Sequence, residues 1–134
     1  TNNVNNSGTD FIAYCFAEKK GFSKMGSYVG NGSADGNFVY LGFKPAFLIY
    51  KQSSASGESW IMHDNARNLF NVTNKRLLAN AGNVEADEPI DFLSNGFKCR
   101  TSGAFQNASG STYIYMAFAE NPLVGTNGVP ATAR

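Results

Sequence analysis

The sequence predicts an all-β fold, an antiparallel β-sandwich of jelly-roll-like character, from three observations. Eleven Phe and six Tyr favour pleated, half-buried surfaces, and strong helix formers are scarce. Gly and Asn are plentiful, and both tolerate the backbone of tight turns between short strands. The apolar runs are short and bounded by turn residues, the pattern of a sandwich or barrel. With 134 residues, the chain has room for a single domain over 1–134 and not for two independent cores.

The elements follow in order. Residues 11–17 form an apolar run between Gly8 and Lys19-Lys20-Gly21 and read as a buried strand. Residues 21–37 hold one short strand around Tyr28 and Val29. Residues 38–43 form a strand that ends at Lys44-Pro45, because proline cannot donate to a ladder, and 46–51 resume as the next. A polar turn at 52–57 lets 59–63 pair back as a hairpin. Residues 64–73 are irregular, 76–79 a short strand and 80–89 an acidic loop. Asn95-Gly96, flanked by apolar residues, predicts a hairpin over 90–100 with a type I′ turn. Residues 113–119 are the last strand, and 121–134 a tail with no core of its own.

Composition narrows the function. Hydrophobic residues at 43% and charged residues at 16% exclude a disordered chain. A net charge of +1 argues against a nucleic-acid platform, which needs clustered Lys and Arg. No apolar run approaches the roughly 18 residues of a membrane span, so no membrane insertion is expected, and the polar start at 1–6 does not read as a signal peptide. Four N-x-Ser/Thr sequons, at Asn5, Asn31, Asn71 and Asn107, are expected by chance in so Asn-, Ser- and Thr-rich a chain. Cys15 and Cys99 sit in apolar or alternating segments, and two reduced core thiols are favoured over a disulfide.

Catalytic chemistry finds little support. His63 is the only histidine, and Asp64 beside it would point to the opposite face of a strand, badly placed to orient it. No Gly-x-Ser-x-Gly elbow is present. Glu85, Asp87 and Glu88 cluster in one loop and read as a solvated face rather than a glycosidase pair. Asp35 before Gly36 suits an Asx turn better than a calcium site, since no second carboxylate lies in that loop. No catalytic residue, metal or cofactor is therefore expected. Asp64 and Arg67 are expected to form a structural ion pair. Trp60 is assigned to the core, and Tyr28 with Asn31 and Asp35 is the best candidate ligand surface, an aromatic ring beside polar groups.

An internal repeat is the most informative feature. Asn5–Glu18 aligns with Asn107–Glu120 at a constant offset of 102, with identities at Asn5, Ser7, Gly8, Ile12, Phe16, Ala17 and Glu18. A turn followed by an apolar strand is thus used twice, at 1–18 and 105–120. This suggests tandem modules of about 100 residues, the first stretch being the last strand of a preceding module.

Several motifs then occur in order: 42–51 (Gly-Phe-Lys-Pro-Ala-Phe-Leu-Ile-Tyr-Lys), Trp60 with 64–67, 78–80, 91–98 and 107–118. With 22–36 and 122–134 they resemble a β-sandwich module of tailed-bacteriophage structural proteins, found beside concanavalin-like or laminin-G-like domains in tail-fibre and other virion proteins. The resemblance implies a virion protein made in the bacterial host cytoplasm, the C-terminal domain of a tail fibre or appendage. It implies other virion proteins as partners, a homo-oligomer (a trimer by analogy with fibres) and contact with a host-surface glycan or receptor. It supplies no catalytic motif. A capsid-decorating protein with only protein–protein contacts is the alternative. In either setting the tail at 122–134 is expected to order against an adjacent subunit.

Overall fold

The computed structural model describes residues 6–122, and all of their regular structure is β. The strands are β1 (Ser23–Val29), β2 (Phe38–Tyr40), β3 (Pro45–Gln52), β4 (Ile61–Asp64), β5 (Thr73–Leu78), β6 (Ala86–Leu93), β7 (Gly96–Cys99) and β8 (Thr112–Ala119). The expected antiparallel all-β fold is what the chain forms: one sheet in the order β1-β8-β3-β4-β5-β6-β7-β2, antiparallel throughout. Strands β3 to β7 run as a meander, and β8 returns to lie between β1 and β3. The sheet turns a corner at β5, whose Thr73, Lys75 and Arg76 pair with β6 while Leu77 and Leu78 pair with β4. It curls back until Tyr28 of β1 lies 5.8 Å from Phe97 of β7, giving a nearly closed, barrel-like layer pair.

Alternation along the strands builds the core. In β8 the buried side chains are Tyr113, Tyr115 and Ala117, with Ile114 and Met116 between them on the other face. Leu48 and Tyr50 of β3, Ile61 of β4, Ile90 and Phe92 of β6, and Phe97 and Cys99 of β7 meet them inside. Pro45 is accommodated because it opens β3, beside a register shift between Pro45 and Phe47.

Six expectations are corrected by the fold. Residues 11–17 lie outside every ladder and leave Ile12 and Tyr14 83% exposed; the place between β1 and β3 is taken by β8. Cys15 is accordingly exposed, Cys99 is buried, and both are free thiols. Strand β6 begins at Ala86 rather than Ile90, since Lys75 and Arg76 of β5 meet Asp87 and Glu88 across the ladder at 2.7 and 3.9 Å. Glu85 and Asp87 face solvent as expected, but Glu88 is buried. Trp60 is half-buried at the rim, with the Lys51 ammonium 5.8 Å from its ring centre. The β6–β7 hairpin is present without a type I′ turn: Leu93 pairs with Gly96, so Ser94 and Asn95 form the turn, and neither has positive φ.

The connection before β8 closes one end of the sheet. Gln106 and Asn107 are fully buried there. The Asn107 carboxamide accepts from the Asn31 amide (2.9 Å) and donates to Asn31 Oδ1 (2.7 Å) and to the Ser33 carbonyl (2.8 Å). A sequon asparagine so enclosed presents no glycan acceptor. The tail at 123–134 and Asn5 lie outside the described residues.

Candidate functional site

The loop after β1 brings Tyr28, Asn31 and Asp35 into one region, but not as an open binding face. Tyr28 follows the inward alternation of β1, so its ring stacks on Tyr113 at 5.0 Å, and its hydroxyl donates to the Gln106 carbonyl at 2.8 Å. Burial pushes the phenol far above its ordinary range. A sugar-stacking ring needs a free face in water, so Tyr28 does not serve as the platform. Asn31 is spent on Asn107 and on the Ser33 amide, which donates to its Oδ1 at 3.0 Å. Asp35 is exposed but paired with Lys98 at 2.5 Å and near Arg100 at 3.9 Å; the hydrogen bond from Lys98 holds its carboxyl below the usual value.

Asp64 and Arg67 form an ion pair, with Arg67 Nε 2.6 Å from Asp64 Oδ2. The Ala66 and Arg67 amides both donate to Oδ1 at 3.0 Å, and Arg67 also reaches Glu85 at 3.3 Å. Burial works to raise the Asp64 pKa, but the hydrogen bonds and charge of Arg67 outweigh it and keep the carboxyl low. The cluster ties the loop after β4 to the start of β6. Both side chains keep substantial contact with water, so Arg67→Ala is expected to cost no more than about 1 kcal/mol. Urea midpoints check this; a loss well above that would make the pair an anchor of the fold.

His63 faces inward while Asp64 faces outward, the opposed placement that strand alternation requires. The imidazole is fully buried, stacked on Tyr50 at 5.9 Å with Nε2 3.3 Å from its hydroxyl. Nδ1 has no hydrogen-bond partner, nor does the buried Nε of Arg76. Burial, and then the charge of Arg76, lowers the His63 pKa to about 3, so the ring is neutral at ordinary pH. Burial raises the Glu88 pKa, with Arg76 pulling the other way. Tyr50, His63, Arg76 and Glu88 are polar groups held largely inside the sheet, and no group of three or more His, Cys, Asp or Glu among the described residues could hold a metal.

Open features lie elsewhere. The two ends of the sheet order, β1 and β2, face each other across a seam bridged by Lys24, whose ammonium donates to the Tyr40 carbonyl at 2.9 Å and sits 5.3 Å from its ring centre. A cleft of about 420 Å³ runs along this seam, lined by Lys19, Lys20, Lys24, Tyr40 and Phe43 among others. Nothing in the sequence pairs Lys24 with Tyr40; that meeting depends on the curl of the whole sheet. Beyond the seam, large apolar side chains stand in water at several points, Val84 among them, and they cluster in two stretches. One is the loop before β5, with Leu69 78% and Phe70 82% exposed. The other is the stretch at 11–16, where Ile12 and Tyr14 are the most exposed and Phe11 and Phe16 about half so. Soluble domains rarely leave such contiguous apolar surface uncovered unless it meets a partner.

No curated protein and no solved structure matches the chain. Residues 1–122 match the model of a family described as a domain of unknown function, DUF7483, a span that takes in both copies of the repeated sequence. The chain belongs to that family.

Proposed function

We propose that the chain is a non-enzymatic structural module of a bacteriophage virion, the C-terminal part of a tail fibre or related appendage, acting through contacts with other virion proteins and with the host surface. The observation that carries the reading is the uncovered apolar stretch at 11–16, which suits a domain built into an assembly rather than one working alone. The ordered motifs at 42–51, 91–98 and 107–118, with their likeness to phage structural modules, support the virion setting. The polar groups gathered inside the sheet are consistent with a packing role: His63 is enclosed and Arg76 contacts Glu88 and the Phe105 ring. Host contact in this reading falls to side chains that stand in water, such as Tyr40, Leu69 and Phe70, rather than to Tyr28. Assembly as a homo-oligomer, a trimer in a fibre, belongs to the same reading.

Electron microscopy of the phage particle with gold-labelled antibody against the chain tests it. Label on the tail or its fibres is the expected result. Label over the head would favour the capsid-decorating alternative, and particles without label would overturn the virion reading.

A further inference from the structure

We propose that residues 11–15 are a donated strand: they fill the matching part of the β8 place, between the β1 and β3 equivalents, in the sheet of a second, non-identical module of this fold. The inference deepens the assembly reading above but stands on the chain's own geometry. The repeat is first of all a conformational one. In the turn before β8, the Ser111 amide donates to the Ala108 carbonyl at 3.1 Å and Gly110 has φ 72°. One offset earlier, the Thr9 amide donates to the Asn6 carbonyl at 3.4 Å and Gly8 has φ 76°. The same left-handed glycine thus makes the same turn at both sites, although only one turn leads into a ladder.

The two segments after these turns differ in their partners. Strand β8 pairs along its length with β1 on one side and β3 on the other. Residues 11–17 join no ladder, and Ile12 and Tyr14 stand in water. Laid on β8, Phe11, Ala13 and Cys15 take the inward places of Tyr113, Tyr115 and Ala117, and Ile12, Tyr14 and Phe16 the outward ones. The segment's end is fixed on its own module, with Phe16 packed edge-on to Phe118 at 5.7 Å and the Ser23 hydroxyl donating to the Ala17 carbonyl at 2.8 Å. The free part is 11–15, held at the start of β1 where a neighbouring sheet could receive it.

One pair of residues says the recipient is not an identical chain. Within this chain Tyr115 lies opposite Gly26 of β1, and a Cβ at Gly26 would sit 2.8 Å from the Tyr115 hydroxyl. The donated strand carries Ala13 at that place, too small to fill the same space. Its recipient should therefore bear a larger side chain where this chain has Gly26.

The intact chain supports a direct test. Four substitutions, Tyr113→Phe, Tyr115→Ala, Met116→Tyr and Ala117→Cys, give β8 the sequence of residues 11–17. This variant is expected to keep a β-type circular dichroism spectrum and a cooperative urea transition at a lowered midpoint. Adding Gly26→Leu should raise the midpoint in the four-substitution background and lower it in the parent. Failure of the transition both with and without Gly26→Leu overturns the proposal, as does a Gly26→Leu effect of the same sign in both backgrounds. Alkylation of Cys15 tests the choice of recipient. In the parent chain it should proceed at one rate over a hundredfold range of protein concentration, while Cys99 stays protected. Protection of Cys15 that grows with concentration, together with dimers in sedimentation, would replace the non-identical module by a second copy of this chain and overturn the proposal as stated.

Discussion

Acidification from pH 7 to pH 5 is expected to destabilise the fold by about 2 kcal/mol through His63 alone. The imidazole has its pKa lowered from 6.5 to about 3 in the folded chain, first by burial and then by the charge of Arg76. Between those two values the unfolded chain binds a proton that the folded chain refuses, so stability rises with pH across the window. The contribution is fully present above pH 6.5 and is lost progressively as pH falls toward 3. Glu88 acts in the opposite direction: its raised pKa lets the folded chain take up a proton first, which offsets part of the loss. A His63→Leu variant separates the two. Its stability at pH 7 is expected to fall by about 1–3 kcal/mol, because Gln106 Nε2 still donates to the Tyr50 oxygen at 3.4 Å but the buried hydroxyl loses Nε2 of His63 as its partner. Urea midpoints at pH 7 and pH 5 should show the slope in the parent and its removal in the variant. Equal slopes would mean that His63 titrates normally and is more open than its packing implies.

Gly96→Ala is expected to cost about 3 kcal/mol or more, a large effect for one methyl group. A Cβ at Gly96 would lie 2.1 Å from the Val39 carbonyl oxygen and 2.9 Å from the Phe38 ring. The carbonyl is backbone and cannot rotate aside, so either β2 leaves β7 or β7 shifts away from it. Losing β2 would uncover Val39 and loosen the dock where Leu41 and Gly42 donate to the Asn95 carbonyl at 2.8 and 3.0 Å. Gly82→Ala is the control, since nothing lies within 4 Å of a Cβ there, and it should change stability by no more than about 0.5 kcal/mol. Thermal or urea unfolding of the three chains decides the matter. A Gly96→Ala chain as stable as the parent would show that the approach of β2 to β7 is looser than the structure has it.

The contrast between Asn95-Gly96 as read in sequence and as folded marks the limit of local inference. Apolar runs either side of Asn-Gly were enough to place the β6–β7 hairpin, because strand periodicity and turn composition act over neighbouring residues. The turn itself falls one residue earlier, at Ser94-Asn95, and Gly96 is a glycine for the sake of β2, a strand from a distant part of the sequence. The acidic stretch before Pro89 behaved similarly: counted as charge it belongs in solvent, and only the ladder with β5 brings Glu88 beside Arg76 and buries it.

The same division holds for the candidate site. Residues close in sequence met as expected, Asp64 with Arg67 across a single turn and His63 opposed to Asp64 by strand alternation. Tyr28 beside Asn31 looked open because alternation does not say which face of β1 will be covered; the stacking of Tyr113 decided it. The meeting of Lys24 with Tyr40 depends on how far the sheet curls, a property of all eight strands together. The sequence by itself determined the all-β class, the positions of most of the main strands and the turn shared by Gly8 and Gly110, since each rests on side-chain period and composition within about ten residues; the strand expected at 11–17 does not form. The tertiary structure alone decided the strand order, the polar interior and the fate of the two repeated segments. Among the described residues the place between β1 and β3 holds one strand, and β8 rather than 11–17 supplies it, because strand periodicity alone does not say which of two similar segments a sheet takes up.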